Sequence, residues 1–226
     1  MLSLKVFFGY RVIQTENLMS FTPFKIVNVD VHPQEELLAK LRQVVMLKDR
    51  TAYPYKTATL AVTTLPWSEI RPAQRYVLAD GLAKIHHLEW ELAERGIDLF
   101  NLEGYLTILT DQSVFPVDVL PPIVETINEA DGSLINVVND GAHRLYVARL
   151  EWRRPKIVLV RDLPAQYPYY AYPIPDERPW ESMVLVEGET IPTNLVKKWH
   201  RIEDNKRLYR DFNSAFQNVG GPRGQG

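Results

Sequence analysis

Ile135-Asn136-Val137-Val138-Asn139-Asp140-Gly141-Ala142-His143-Arg144-Leu145-Tyr146-Val147-Ala148-Arg149 is the stretch on which the fold depends. Its apolar start reads as the end of a buried strand. Asn139-Asp140-Gly141 is turn chemistry, and Gly141 permits either an unusual backbone angle or close approach of a ligand to the main chain. A helix is expected from about Ala142 to Trp152. Its unpaired first-turn N–H groups and positive dipole end make a ready anion site. His143 and Arg144 fall in that first turn, where cations oppose the dipole, so helix stability does not account for them. A bound anion does, and an arginine grips phosphate through two parallel hydrogen bonds. Asp140 at the mouth is placed to hold a metal ion or accept a proton. The plainer reading makes Asp140 an N-cap and leaves His143 and Arg144 solvated; spacing alone leaves both open.

Working outward, Leu106–Thr110 reads as a strand, Val117–Leu120 continues extended, and Pro121-Pro122 enforces that conformation. Ile123–Ile127 is a short strand or the edge of one. Asp131-Gly132 is a hairpin signal joining it to Leu134–Val138. Lys156–Val160 is a further strand. Toward the N-terminus, Lys25–Val31 alternates as a strand. A helical spacing follows, with Leu37, Leu38, Leu41, Val44 and Val45 on one face, and Thr57–Thr64 is β-branched and apolar. The longest helical pattern runs from about Arg71 to Arg95, with Pro72 in the first turn, Leu78, Leu82, Ile85, Leu88 and Leu92 on one stripe, and Gly96 as the stop. His86 and His87 within it point about 100° apart, so they do not pair on one metal, and each reads as a satisfied or exposed histidine. Tyr167, Tyr169, Tyr170 and Tyr172 alternate with prolines between Leu163 and Trp180; an ordered loop packed on the core is preferred over a ligand cleft. A C-terminal helix is expected over Thr193–Gln217, anchored by Leu195, Trp199, Ile202, Leu208, Phe212 and Phe216.

Composition bounds the rest. The 226 residues are 46% apolar and 24% charged, with a net charge of −2 and no cysteine. That is an ordinary globular balance, without overall attraction to nucleic acid. The missing thiol excludes disulfides, thiolate metal sites and cysteine nucleophiles. No apolar run spans a membrane. Met1–Ile13 lacks a signal-peptide pattern, so a cytoplasmic protein is expected, with Val219–Gly226 frayed.

The turn Asn139–Arg144, followed by Tyr146, Ala148 and the strand at Ile157–Val160, resembles the signature of the ParB/sulfiredoxin superfamily. The resemblance covers about a quarter of the chain, roughly Leu106 to Asp162. The first hundred residues and the Tyr/Pro-rich tail are not explained by it; residue patterns give them an N-terminal α/β region over 1–100, with a helical part and the long helix 71–95, and a C-terminal extension over 166–226 joining the Tyr/Pro-rich loop to a helix. The resemblance implies a mixed-sheet core over 101–165, in an α/β (α+β) fold. It also implies a nucleotide phosphate held by Asn139, Gly141, Ala142, His143 and Arg144.

The branches of the superfamily differ in use. Sulfiredoxins need a cysteine in the turn, where this chain has Ala142. Chromosome-partitioning ParB proteins bind CTP and add a helix-turn-helix, which is not evident here. Free-serine kinases carry the most similar turn and use a glutamate on an earlier strand as base, assisted by the turn's Asp and His. Glu125 is the matching candidate, with Asp140 and His143 assisting. The competing reading has Glu125 facing solvent from an edge strand, and Asp118 is a weaker carboxylate. The expectation is a kinase for a small hydroxyl-bearing metabolite, using ATP or ADP and Mg2+ held partly by Asp140. Gln74, Arg75 and Tyr76, or the Tyr-rich loop, would contribute to the acceptor pocket. The alternative is a ParB-like nucleotide switch or DNA-associated protein, for which Lys197, Lys198, Arg201, Lys206, Arg207 and Arg210 supply a basic excess. A ParB-like nuclease ranks last, because no acidic metal cluster is visible.

Overall fold

Every strand that carries side chains on two faces must bury both or wet one, and here the middle strands bury both. The computed structural model describes residues 7–8, 11–12, 21–129, 131–169, 173–188, 190–195 and 205–219. Its strands are β1 (Phe7–Phe8), β2 (Arg11–Val12), β3 (Ile26–His32), β4 (Val45–Met46), β5 (Thr59–Thr63), β6 (Ile70–Arg71) and β7 (Tyr76–Leu78). They continue as β8 (Tyr105–Thr110), β9 (Val117–Val119), β10 (Ile123–Asn128), β11 (Leu134–Asp140), β12 (Ile157–Arg161), β13 (Val184–Val186) and β14 (Arg210–Asp211). The α-helices are α1 (Gln34–Leu41), α2 (Ala79–Ala93) and α3 (Ala142–Leu150). The fold is mixed α+β, as the strand–turn–helix–strand order implies.

The central sheet has the order β5-β12-β10-β11-β6. β10 and β11 form the hairpin expected at Asp131-Gly132, with Glu125 opposite Val137. β10 pairs in parallel with β12, and β12 in antiparallel fashion with β5. β10 is therefore the middle strand, and the edge-strand reading of Glu125 is wrong.

Alternation along β12 sends Ile157 and Leu159 into one core with Leu82, Leu88, Leu145 and Val147 of α2 and α3. It sends Val158 and Val160 into a second core with Leu37, Leu41, Tyr55, Phe212 and Phe216. A strand buried on both faces reads as a continuous apolar run, which Ile157-Val158-Leu159-Val160 is. A second sheet, β3-β8-β9, stands beside it.

Three expected elements differ. The helical pattern assigned to 71–95 begins only at Ala79. The preceding residues are β6, which closes the central sheet beside β11, and β7, which pairs with β13. Leu78 is the helix N-cap rather than a mid-helix residue, although it keeps the four-residue step to Leu82. Gln74, Arg75 and Tyr76 consequently do not open a helix; Gln74 donates to the Tyr76 carbonyl at 2.7 Å. Val45, grouped with α1 by spacing, lies in β4. Among the described residues, the expected C-terminal helix is replaced by 3-10 turns at Thr193–Leu195, Asn205–Leu208 and Phe212–Ser214, and by β14. Strand pairing of β14 with β4 and burial of Arg210 fix that extended course. Trp199, Ile202, Lys197, Lys198, Arg201, Tyr170 and Tyr172 lie outside the described residues, as does the tail beyond Val219, which is itself buried.

Candidate functional site

The turn after β11 is built by close packing. Gly141 is the N-cap of α3 and has φ 84°, a left-handed conformation that glycine adopts without strain. A Cβ at this position would lie 2.8 Å from Pro122 Cβ, so the residue must be glycine on two counts. Having no side chain, Gly141 caps none of the helix N–H groups, and the first turn of α3 carries no acidic residue. Its Pro122 neighbour is also held in place, because the Pro122 carbonyl accepts the Val158 N–H at 2.9 Å.

The side chains of the turn point inward. Arg144 is buried; it donates to the Leu120 carbonyl and, at 3.2 Å, to Asp140 Oδ2. Burial lowers the Arg144 pKa, partly countered by the Asp140 charge. Its guanidinium thus braces the turn against the Pro121-Pro122 segment.

His143 reaches the other way. Its Nε2 accepts the Leu78 N–H at 2.9 Å, so the proton of a neutral ring sits on Nδ1. Gly81, in the first turn of α2, makes room for this ring; a Cβ there would come within 2.6 Å of His143 Cδ2. The first turns of α2 and α3 therefore meet across one imidazole, which brings two positive dipole ends together. The sequence pattern marks neither the Leu78 cap nor Gly81, because its helical spacing runs eight residues upstream of the true start at Ala79.

Glu125 and Asn139 belong to a separate, buried cluster on the opposite face of the sheet. Glu125 Oε1 accepts Tyr55 Oη–H at 2.5 Å, Arg210 Nε–H at 2.9 Å and the Asn139 amide. Its Oε2 accepts from Arg210 at 2.9 Å. Arg210 completes its hydrogen bonds on the carbonyls of Tyr167, Pro168 and Leu208. Burial and the Glu125 charge raise the Tyr55 hydroxyl well above its ordinary range. Burial works against the Arg210 charge, but Glu125 and Tyr55 more than offset it and raise its pKa. Each acceptor oxygen of Glu125 is engaged inside the protein, and nothing opens it to a substrate hydroxyl.

The structure thus joins Asp140, Gly141, Ala142, His143 and Arg144 at one turn and sends Glu125 and Asn139 elsewhere. Asp118 anchors the C-terminal segment, accepting from Thr107 Oγ1 at 2.6 Å and from the Gln217 N–H at 2.9 Å. Tyr169 is buried and donates to the Val138 carbonyl at 2.5 Å, which is packing rather than a cleft wall alone. A cleft of about 780 Å3 beside Thr126, Asn128, Arg161 and Tyr167 opens near the hairpin, and no residue of the Asp140–Arg144 turn lines it. The residues at the turn make no magnesium site on their own, since Asp140 offers one carboxylate already paired with Arg144.

The chain matches the ParB CE domain family over residues 36–184. It belongs to the ParB CE domain family. No curated protein and no solved structure matches it. The ParB CE match extends well beyond the turn, beginning within α1, taking in α2 and the whole central sheet, and stopping before Arg210. Among the described residues of this ParB CE chain, no helix is long and apolar enough to cross a membrane.

Proposed function

We propose that this ParB CE protein binds the phosphates of a nucleotide at the start of α3 and acts as a ParB-like nucleotide-dependent switch. The observation that carries the reading is the meeting of two helix N-termini across His143 beside a glycine cap. Backbone amides at such a junction favour negative charge without any exposed arginine. Arg144 and His143 act indirectly, by fixing the two first turns.

The kinase reading loses its base, because Glu125 is sealed in an ion pair. Phosphoryl transfer would fall to Asp140, whose carboxylate Arg144 neutralises. A DNA-associated role also loses a contributor, since Arg210 is buried.

Calorimetry of the full chain with ATP, ADP and CTP, with and without Mg2+, tests the proposal. Saturable binding that weakens in Gly141→Ala supports it. Absence of binding to all three removes the nucleotide reading. Transfer of phosphate to a hydroxyl-bearing metabolite would restore the kinase.

A further inference from the structure

We propose that His86 and Glu89 of α2, with Glu151 at the C-terminal end of α3, form a binding site for a divalent cation of the zinc class. One donor atom from each of these residues lies within 4.8 Å of the others. His86 Nδ1 and Glu151 Oε1 are 3.3 Å apart. Two ligands bound to one tetrahedral ion at about 2.0 Å each are themselves separated by roughly 3.3 Å, so this pair needs little movement.

His86 and Glu89 are three residues apart on one helix, which places both on the same face. Glu151 arrives from a different element, so the ion would clip α2 to α3. The three side chains are 23–31% exposed, which limits the rotamer entropy that ligation must remove.

Two carboxylates and one imidazole converge here. The carboxylates of Glu89 and Glu151 each bring an oxygen within 4.8 Å of the other and of the His86 ring. Arg153 is the competing partner, at 2.6 Å from Glu89 and 3.9 Å from Glu151. It also holds Asp98 at 2.5 Å and lies 4.6 Å over the Phe100 ring, so it keeps two anchors if an ion takes Glu89.

One imidazole and two carboxylates suit zinc and its neighbours, whereas magnesium prefers oxygen donors alone. Three protein ligands leave a coordination position for water. This site is distinct from the nucleotide proposal. α3 places Glu151, its C-cap, about 15 Å along the helix from Gly141, its N-cap.

The test uses the full chain without an affinity tag, stripped with a chelator, then titrated with Zn2+ and separately with Mg2+ by calorimetry. Co2+ loading is followed by visible absorption. The expected result is one Zn2+ per chain, visible Co2+ bands of low-symmetry coordination, and much weaker Mg2+ binding. His86→Asn and Glu151→Gln, each shown folded by circular dichroism, should weaken Zn2+ by at least roughly tenfold. No Zn2+ uptake, uptake unchanged in both variants, or Mg2+ bound as tightly as Zn2+ would each overturn the assignment.

Discussion

Arg210 meets Glu125 through two hydrogen bonds of 2.9 Å, and both side chains are fully excluded from solvent. Removing one partner strands the other charge in the core. Glu125→Ala should therefore cost about 3–5 kcal/mol of stability, read from chemical denaturation. The double variant Glu125→Leu/Arg210→Met should lie closer to wild type than either single change. A double-variant loss equal to the sum of the two single losses would refute the coupling.

Gly141→Ala forces a side chain into a left-handed backbone and against Pro122. A loss of about 1–3 kcal/mol is expected, with weaker nucleotide binding. A variant as stable as wild type would show that the turn relaxes without this glycine.

Gly81 and His143 should be energetically coupled. Gly81→Ala pushes a methyl group onto the imidazole, and His143→Ala leaves the Leu78 N–H without its acceptor at a cost of about 1–3 kcal/mol. In the double variant the clash disappears, so the combined loss should be smaller than the sum of the single losses. Strict additivity in thermal or chemical unfolding would contradict the close contact.

Stability should also fall on mild acidification. Burial holds His86 below its ordinary value of 6.5. As pH drops through 6.5 the unfolded chain takes up a proton that the folded chain refuses, so folding weakens until pH passes the folded value. Glu89 and Glu151, raised by burial, work in the opposite sense at lower pH. Denaturation curves from about pH 7.5 to about pH 5.5 should show a shallower slope in His86→Asn than in wild type. Identical slopes would dismiss His86 as the source.

The β10–β11 hairpin, α3 and β12 were legible because turn residues and period-2 or period-3.6 patterns agree locally there. The start of α2 was not, because Leu78 and Leu82 keep helical spacing while Tyr76-Val77-Leu78 pairs with a strand more than a hundred residues away. The C-terminal segment misled for the same reason: Phe212 and Phe216 have helical spacing, yet both plug a core offered by distant elements. At the site, the sequence located the glycine turn but not the directions of its side chains. Those directions depend on the Leu120 carbonyl and Leu78 N–H, main-chain groups that no residue pattern marks. The His86-x-x-Glu89 spacing is visible in the sequence, whereas Glu151, which joins them from the end of α3, is not marked by any spacing.

The dependence of Glu125 on a residue 85 positions later has a consequence for synthesis. While the ribosome is still producing the last segment, the hairpin and β12 have already emerged with a carboxylate in the middle strand and no counter-charge. The sheet cannot close over that side until Arg210 is translated and Phe212 and Phe216 follow it in. A nascent chain held on the ribosome with Arg210 still inside the exit tunnel should therefore be cut readily by proteases, and one long enough to expose Arg210, Phe212 and Phe216 should resist them.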